Sequence, residues 1–233
     1  MSFTIGCDPE LVLRKNGKFV SASNYYKKNA SFGLDGCNSI AELRPGYSES
    51  PIDLTAKIKI ILEYGHEKHP ELEMFAGHYQ DSYPIGGHIH LSCQPKPKLI
   101  DSLDTVLYSL SNVIDDKEQR TARENSGYGK ISAYRTKEHG MEYRTPGSWC
   151  LSPSVTLVTL TLTKLTALAV TEDDINLKEM KSTMGSNCFL RKLRTFLKTI
   201  PDDCVEGLNE LDILLRKNLN WNENILPNWG IAS

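Results

Sequence analysis

Four short stretches of this 233-residue chain repeat one pattern: two ionisable side chains separated by a single residue. They are Asp8-Pro9-Glu10, Glu42-Leu43-Arg44, His88-Ile89-His90 and Glu142-Tyr143-Arg144. A β-strand turns successive side chains to opposite faces, so each pair projects from one side. Cys7, Leu11, Leu43, Ile89, Leu91 and Tyr143 then project from the other. An antiparallel sheet with one solvated face alternates in the same way, but such a face is usually padded with Lys, Thr, Ser and Gln. Here the ionisable residues are Asp, Glu, His and Arg only, the types that favour metal and bidentate contacts. The four strands together favour one shared functional face.

On one sheet the carboxylates of Asp8, Glu10, Glu42 and Glu142 crowd together, and their repulsion calls for a cation or the neighbouring arginines. Mostly oxygen donors with one imidazole suit Mg²⁺ or Mn²⁺ better than zinc. Arg44, Arg123, Arg135 and Arg144, joined by Arg120, provide more cationic forks than those carboxylates need, and arginine matches phosphate oxygens. Divalent metal with several arginines is equipment for phosphoryl transfer. "SGYGKIS" and "GLDGCNS" lack the spacing or the lysine of a Walker phosphate loop, and no dinucleotide fingerprint is present. A nucleotide would therefore bind on the sheet.

The remaining sequence sets the frame. Asn16-Gly17 predicts a hairpin turn after the first strand. Ser50 as N-cap and Pro51 at the first helical position open an amphipathic helix carrying Leu54, Ile58, Ile61 and Leu62. A second helix runs through Leu99, Leu103, Leu107, Leu110 and Ile114, and "GKISAYRT" with "GMEYRTP" forms a strand pair. Ser152-Pro153 starts a threonine-rich apolar segment reaching Val170, whose length favours a buried helix over a strand. Further helical patterns fall near 186–199 and 205–217, and the tail is irregular. The fold class is α+β, as a single domain over 1–233 with a mainly antiparallel sheet and a helical C-terminal part. A net charge of −2 argues against bulk binding to nucleic acid or membrane. No secretory signal or membrane span is expected, and six scattered cysteines without a CxxC pair suit free thiols in the cytoplasm.

The motifs resemble those of a known superfamily. "GGHIHLS" is similar to the glycine-rich His-x-His-x-Ser strand of glutamine synthetase, and "GMEYRTPGS" to its Glu-x-Arg strand. "GCDPELVL" resembles the first strand of the glutamine synthetase and glutamate–cysteine ligase superfamily, where a Gly-x-Glu-x-Glu run supplies metal ligands, and "SIAELRP" fits the next ligand strand. The order of the motifs matches. The chain as a whole is most similar to the phage-type carboxylate–amine ligases, the phiEco32-like COOH–NH2 ligases, over roughly residues 3–155.

That resemblance implies a curved antiparallel sheet, with helices on its convex side, holding ATP and divalent metals. A carboxylate would be activated as an acyl phosphate and captured by an amine. Small-molecule or peptide carboxylates and amines are the implied partners, with phage-encoded protein acting in the host cytoplasm; the oligomeric state stays open. Carried over by motif, Glu10, Asp8, Glu42, His88 and Glu142 would be metal ligands. His90 would lie toward the nucleotide, Arg144 would hold the phosphoryl group or substrate carboxylate, and Arg135 would bind phosphate. Asp-Pro-Glu departs from Glu-x-Glu, and Pro9 predicts a strand edge or bulge. "LSPSVTL" stands where the synthetase has an asparagine-proline-tyrosine run.

Outside the motifs, "RTARENSGYGK" reads either as a solvated helix end or as a lid bringing Arg123 and Lys130 over phosphates, with the lid slightly favoured. Gly86 and Gly87 read as room for a nucleotide near the backbone. His66 and His69 suit a helix C-terminus, His139 and Asp35 suit turns, and Trp221 and Trp229 suit packing. Two other functions stand beside the ligase. A metal-dependent hydrolase of amides or phosphoesters would need a further nitrogen or sulfur ligand, and a non-catalytic binding module would have no use for intact acids.

Overall fold

The computed structural model of the protein describes residues 3–171 and 200–231. Its centre is strand β1 (Ile5–Lys15), which turns at Asn16 and Gly17 into β2 (Lys18–Val20). Both turn residues have positive φ (53° and 71°), the conformation the Asn-Gly pair was expected to supply. Next come β3 (Phe32–Leu34), β4 (Ala41–Leu43), β5 (Tyr47–Ser48) and helix α1 (Pro51–Lys68). The Ser50 hydroxyl caps α1 by accepting from the Asp53 amide. Strands β6 (Glu73–Phe75), β7 (Tyr79–Gln80), β8 (Tyr83–Pro84) and β9 (Gly87–Leu91) lead to α2 (Pro97–Ile114) and α3 (Lys117–Asn125). The hairpin β10 (Tyr134–Lys137) and β11 (Gly140–Tyr143), then α4 (Pro153–Thr171) and α5 (Asp202–Leu214), complete the described elements. The helical pattern expected near 186–199 lies outside the described residues.

The main sheet runs β10-β11-β9-β1-β4-β3, antiparallel at every pairing, with β2, β5 and β6 also pairing with β1; β7 and β8 pair separately. Pro9 was expected at an edge or bulge, yet β1 is central. On one side β1 pairs with β9 through Ile5 to Pro9. On the other it pairs with β5 at Ile5 and Gly6 and with β4 at Glu10 and Leu11. Pro9 falls in the gap between those two short ladders, where a missing N–H breaks no bond.

The apolar side of this sheet and the helices share one core, including Cys7, Leu11, Leu43, Ile89, Met141 and Tyr143 from the strands. Helix α4 packs against α1, α2 and α5. It is long and apolar enough to cross a membrane, but 83% of that window is buried inside the fold, which is the case of a core helix. Its threonines tolerate burial because Thr159, Thr163 and Thr166 donate back to the carbonyls of Val155, Thr159 and Leu162, 2.6–2.8 Å away. Lys164 ends at Asp203 Oδ2 and the Glu49 carbonyl, each at 2.7 Å.

Candidate active site

Register decides which polar pairs meet. Asp8 lies opposite His88, Glu10 opposite Glu42, His90 opposite Glu142, and Glu142 opposite Arg135. Directly opposed residues share a face, so the four pairs do form one polar face. Glu10, Glu42, His88 and Glu142 on it are buried and Asp8 is half-buried. Glutamates are rarely buried without partners, and the partners here are specific.

His88 is the hub. Its Nδ1 lies 3.3 Å from Asp8 Oδ1 and 3.8 Å from Glu142 Oε1. Asp8, His88 and Glu142 each offer a donor atom within 4.8 Å of one another. His90 Nε2 reaches Asp8 Oδ2 at 3.1 Å. Burial alone would raise the Asp8 carboxyl, but the adjoining His88 and His90 rings, the latter by a hydrogen bond, outweigh it and hold Asp8 well below the usual carboxylate range. Glu10 is pushed up by burial, against the pull of His88. Glu42 is pushed up to about 8, by burial first and then by the Asp8 charge, in spite of Arg44. Glu10 and Glu42 are thus the acids of this face that burial pushes toward the protonated form.

The arginines divide by role. Arg144 pairs with Glu142, and its Nη1 stands 3.4 Å from His88 Nδ1. Arg44 pairs with Glu42 and also donates to the carbonyls of Ala30 (3.1 Å) and Leu34 (2.6 Å). Arg135 is exposed, 4.0 Å from Glu142 Oε1. Arg123 differs from the expected lid residue. It is 2% exposed, and its Nη1 and Nη2 donate to the carbonyls of Thr145 (2.7 Å) and Pro146 (2.8 Å). Burial lowers its guanidinium to about 10. Arg123 therefore holds the chain that follows β11 through both of its Nη groups. Lys130 is exposed on the loop before β10, and its carbonyl accepts from Thr145 Oγ1.

Three groups escaped the sequence reading. Lys137 Nζ lies 2.6 Å from Glu142 Oε2. Burial would raise Glu142, but Lys137 and Arg144 outweigh it and lower that carboxyl. Lys137 stands two residues after Arg135, so period two already placed it on this face. Tyr128 donates to Glu10 Oε1 at 2.8 Å and meets His88 Nε2 at 3.1 Å. Its hydroxyl is pushed far above the usual tyrosine range by burial and by Glu10, so it stays protonated. Buried Asp104, on α2, accepts from Tyr143 (2.6 Å) and Ser132 (2.5 Å) and so fixes β11 from beneath. Neither Tyr128 nor Asp104 belongs to a periodic pattern that would have announced it.

The two glycines serve the protein rather than a ligand. The Gly86 amide donates to Glu10 Oε2 at 2.6 Å. A Cβ on Gly86 would lie 2.6 Å from His88 Nε2, and one on Gly87 would run into the Gly147 carbonyl and the Trp149 ring.

The face fits a hard divalent cation. Its donors are carboxylate oxygens around one imidazole, and buried Asp8 Oδ1 accepts no hydrogen bond. Among the described residues no thiol joins the cluster. Imidazole and oxygen alone make a poor closed zinc site.

A mainly antiparallel sheet that carries this cluster on one face, with helices packed on the other, has the glutamine-synthetase-like fold. Among solved structures the chain is similar to a bifunctional glutathione synthetase from Pasteurella multocida, with a TM-score of 0.54 at 10% identity over 99% of this chain and 48% of that one. It thus spans about half the length of that enzyme. Apo GmaS gives 0.47 at 14% identity over 92% and 67% of the two chains, and a glutamine synthase homolog gives 0.47 at 10% over 98% and 70%. No curated protein matches. The family model described as phage phiEco32-like COOH.NH2 ligase-type 2 matches residues 5–222, and the chain belongs to that family. The match extends beyond the sheet region and takes in α4, α5 and part of the tail.

Proposed function

We propose that the protein is an ATP- and Mg²⁺- or Mn²⁺-dependent carboxylate–amine ligase. The observation that carries the reading is the in-register assembly of Asp8, His88 and Glu142, flanked by Glu10, Glu42 and Arg144, on one buried sheet face. Bound metal would neutralise phosphate charge there, with Asp8, His88 and Glu142 as its holders and Glu10 and Glu42 as further donors. A cleft of about 630 Å³ opens beside this face, bounded by Tyr47, His90, Leu91, Lys137, His139 and Met141. Its size suits a nucleotide, and its basic groups suit phosphates.

In the proposed reaction a substrate carboxylate oxygen attacks the γ-phosphorus of ATP and ADP leaves. The amine then attacks the acyl carbon, phosphate leaves, and the amine's proton passes to solvent or a base. Arg144 lies beside His88 and Glu142, placed to hold the transferring phosphoryl group or the substrate carboxylate; exposed Arg135 and Lys137 can approach the phosphates from the rim. Incubation with ATP, Mg²⁺ and pooled amino acids, peptides and amines should release ADP together with an amide. If no ADP appears above background across such pools, the ligase reading fails.

A further inference from the structure

We propose that Tyr128 is a positioning residue which fixes the tautomer of His88, so that Nδ1 presents its lone pair between Asp8 and Glu142. The inference rests on the metal site proposed above and deepens it.

Tyr128 sits in the loop between α3 and β10, flanked by Gly127 and Gly129, both at positive φ (80° and 61°). Two such turns in succession, which glycine adopts without steric cost, bring the ring inward. The guanidinium carbons of Arg123 and Arg144 lie 5.1 and 6.0 Å from the ring centroid. The hydroxyl has a single proton, and it donates that proton to Glu10 Oε1 at 2.8 Å. What the oxygen still offers to His88 Nε2, 3.1 Å away, is a lone pair. Nε2 must then carry the hydrogen. Across the ring the hydrogen-bonding neighbour of Nδ1 is Arg144 Nη1 at 3.4 Å, and a guanidinium can only donate. Asp8 Oδ1 stands 3.3 Å from Nδ1 but takes part in no hydrogen bond, so Nε2, facing the phenol oxygen, decides the assignment. Arg144 donates to Nδ1, Nε2–H donates to Tyr128, Tyr128 donates to Glu10, and the other Glu10 oxygen accepts from the Gly86 amide.

The assignment has a chemical consequence. Nδ1 is the nitrogen that faces Asp8 Oδ1 and Glu142 Oε1, so the lone pair lies where the carboxylates converge. Without the phenol oxygen, the hydrogen can move to Nδ1 and point at Asp8, blocking the position a cation would take. A hydrogen bond to the remote nitrogen of a ligating histidine is a general way to set ring orientation and basicity.

The test uses full-length, metal-free protein with ¹⁵N-labelled histidine. Two-bond ¹H–¹⁵N spectra of wild type and Tyr128→Phe are compared, with His88 assigned by its loss in His88→Gln. Wild type should show His88 protonated on Nε2, and Tyr128→Phe should lower that tautomer's population. His78 serves as internal control for the fold. Its Nε2 contacts Asp115 Oδ2 at 2.5 Å, a partner Tyr128→Phe leaves in place, and its signals should not move. Mn²⁺ affinity, measured by calorimetry, should fall roughly ten- to a hundredfold in the variant. A wild-type His88 protonated on Nδ1, or an unchanged tautomer in Tyr128→Phe, overturns the proposal. Absence of Mn²⁺ uptake by wild type would instead sink the metal reading, while the tautomer spectra continue to decide the role of Tyr128.

Discussion

At the middle of β1 the two faces of the central sheet are both buried and chemically opposite. Along β1, Glu10 is 1% exposed and its neighbour Leu11 0%. Leu11 joins a core continuous with the helices. Glu10 is held by a tyrosine hydroxyl and a backbone amide. Burial on the first face stabilises the fold through removal of apolar surface from water. On the second it opposes folding, because several carboxylates lose hydration and repel one another. One face supports the other, and that asymmetry should be visible in mutants.

The largest expected effect is on the polar face. Glu142→Ala should reduce ADP release by about 10³-fold or more, in the range lost when a preorganised charge is removed from a reaction centre, while the melting temperature stays within about 4 °C of wild type. Turnover assays beside thermal melts check this, and a variant that unfolds would erase the contrast. Leu11→Ala should do the reverse. It should cost about 3 kcal/mol through transfer and cavity terms, read by denaturant unfolding, yet leave metal uptake intact at temperatures where it remains folded.

Cation binding should bring the two faces closer in stability. Saturation with Mn²⁺ at about a hundred times its Kd should add about 2.7 kcal/mol, seen as a raised melting temperature that EDTA reverses. Asp8→Asn should abolish the rise.

In metal-free protein, stability should fall as pH rises from about 5 to 8. The folded state keeps the proton on Glu42, whose carboxyl is pushed up to about 8, whereas the unfolded chain releases it near the ordinary value of about 4.3. The folded state thus binds more protons in that window, so raising pH favours unfolding. Glu42→Gln should flatten this slope, as followed by melts across the pH range.

The smallest effect belongs to the rim. Arg14 pairs with Asp81 at 2.6 Å and lies 4.0 Å from the Phe75 ring centroid. Arg14→Ala should cost under about 1 kcal/mol and leave the Mn²⁺ shift unchanged.

The sequence displayed the alternation, because period two is a local property of each strand. It placed Asp8, Glu10, Glu42, His88 and Glu142 on a common side of their own strands, and it located α1, α2 and the core helix α4. It could not display register, which depends on how distant segments meet. Nothing local says that Asp8 faces His88 or that Glu10 faces Glu42. Strand β3, as short as β4, was invisible because Phe-Gly-Leu carries no ionisable pair to mark it. The surroundings of Arg123 were not legible either: its Nη groups donate to backbone carbonyls, and composition does not distinguish that from binding phosphate. Tyr128 reaches the site from an irregular loop where side-chain direction follows from two left-handed glycines.

The C-terminal tail has a bearing on how the molecule is assembled. The Asn224 side chain accepts from the Met74 amide in the middle of β6, the Trp221 indole donates to the Ile114 carbonyl at the end of α2, and the Trp229 indole donates to the Cys150 carbonyl before α4. These clasps join residues 150, 107 and 79 positions apart in the chain. Contacts so distant carry a large loop-closure cost and slow folding. During synthesis the earlier elements emerge first, and β6 and the end of α2 wait for residues 221–229 before their partners are complete.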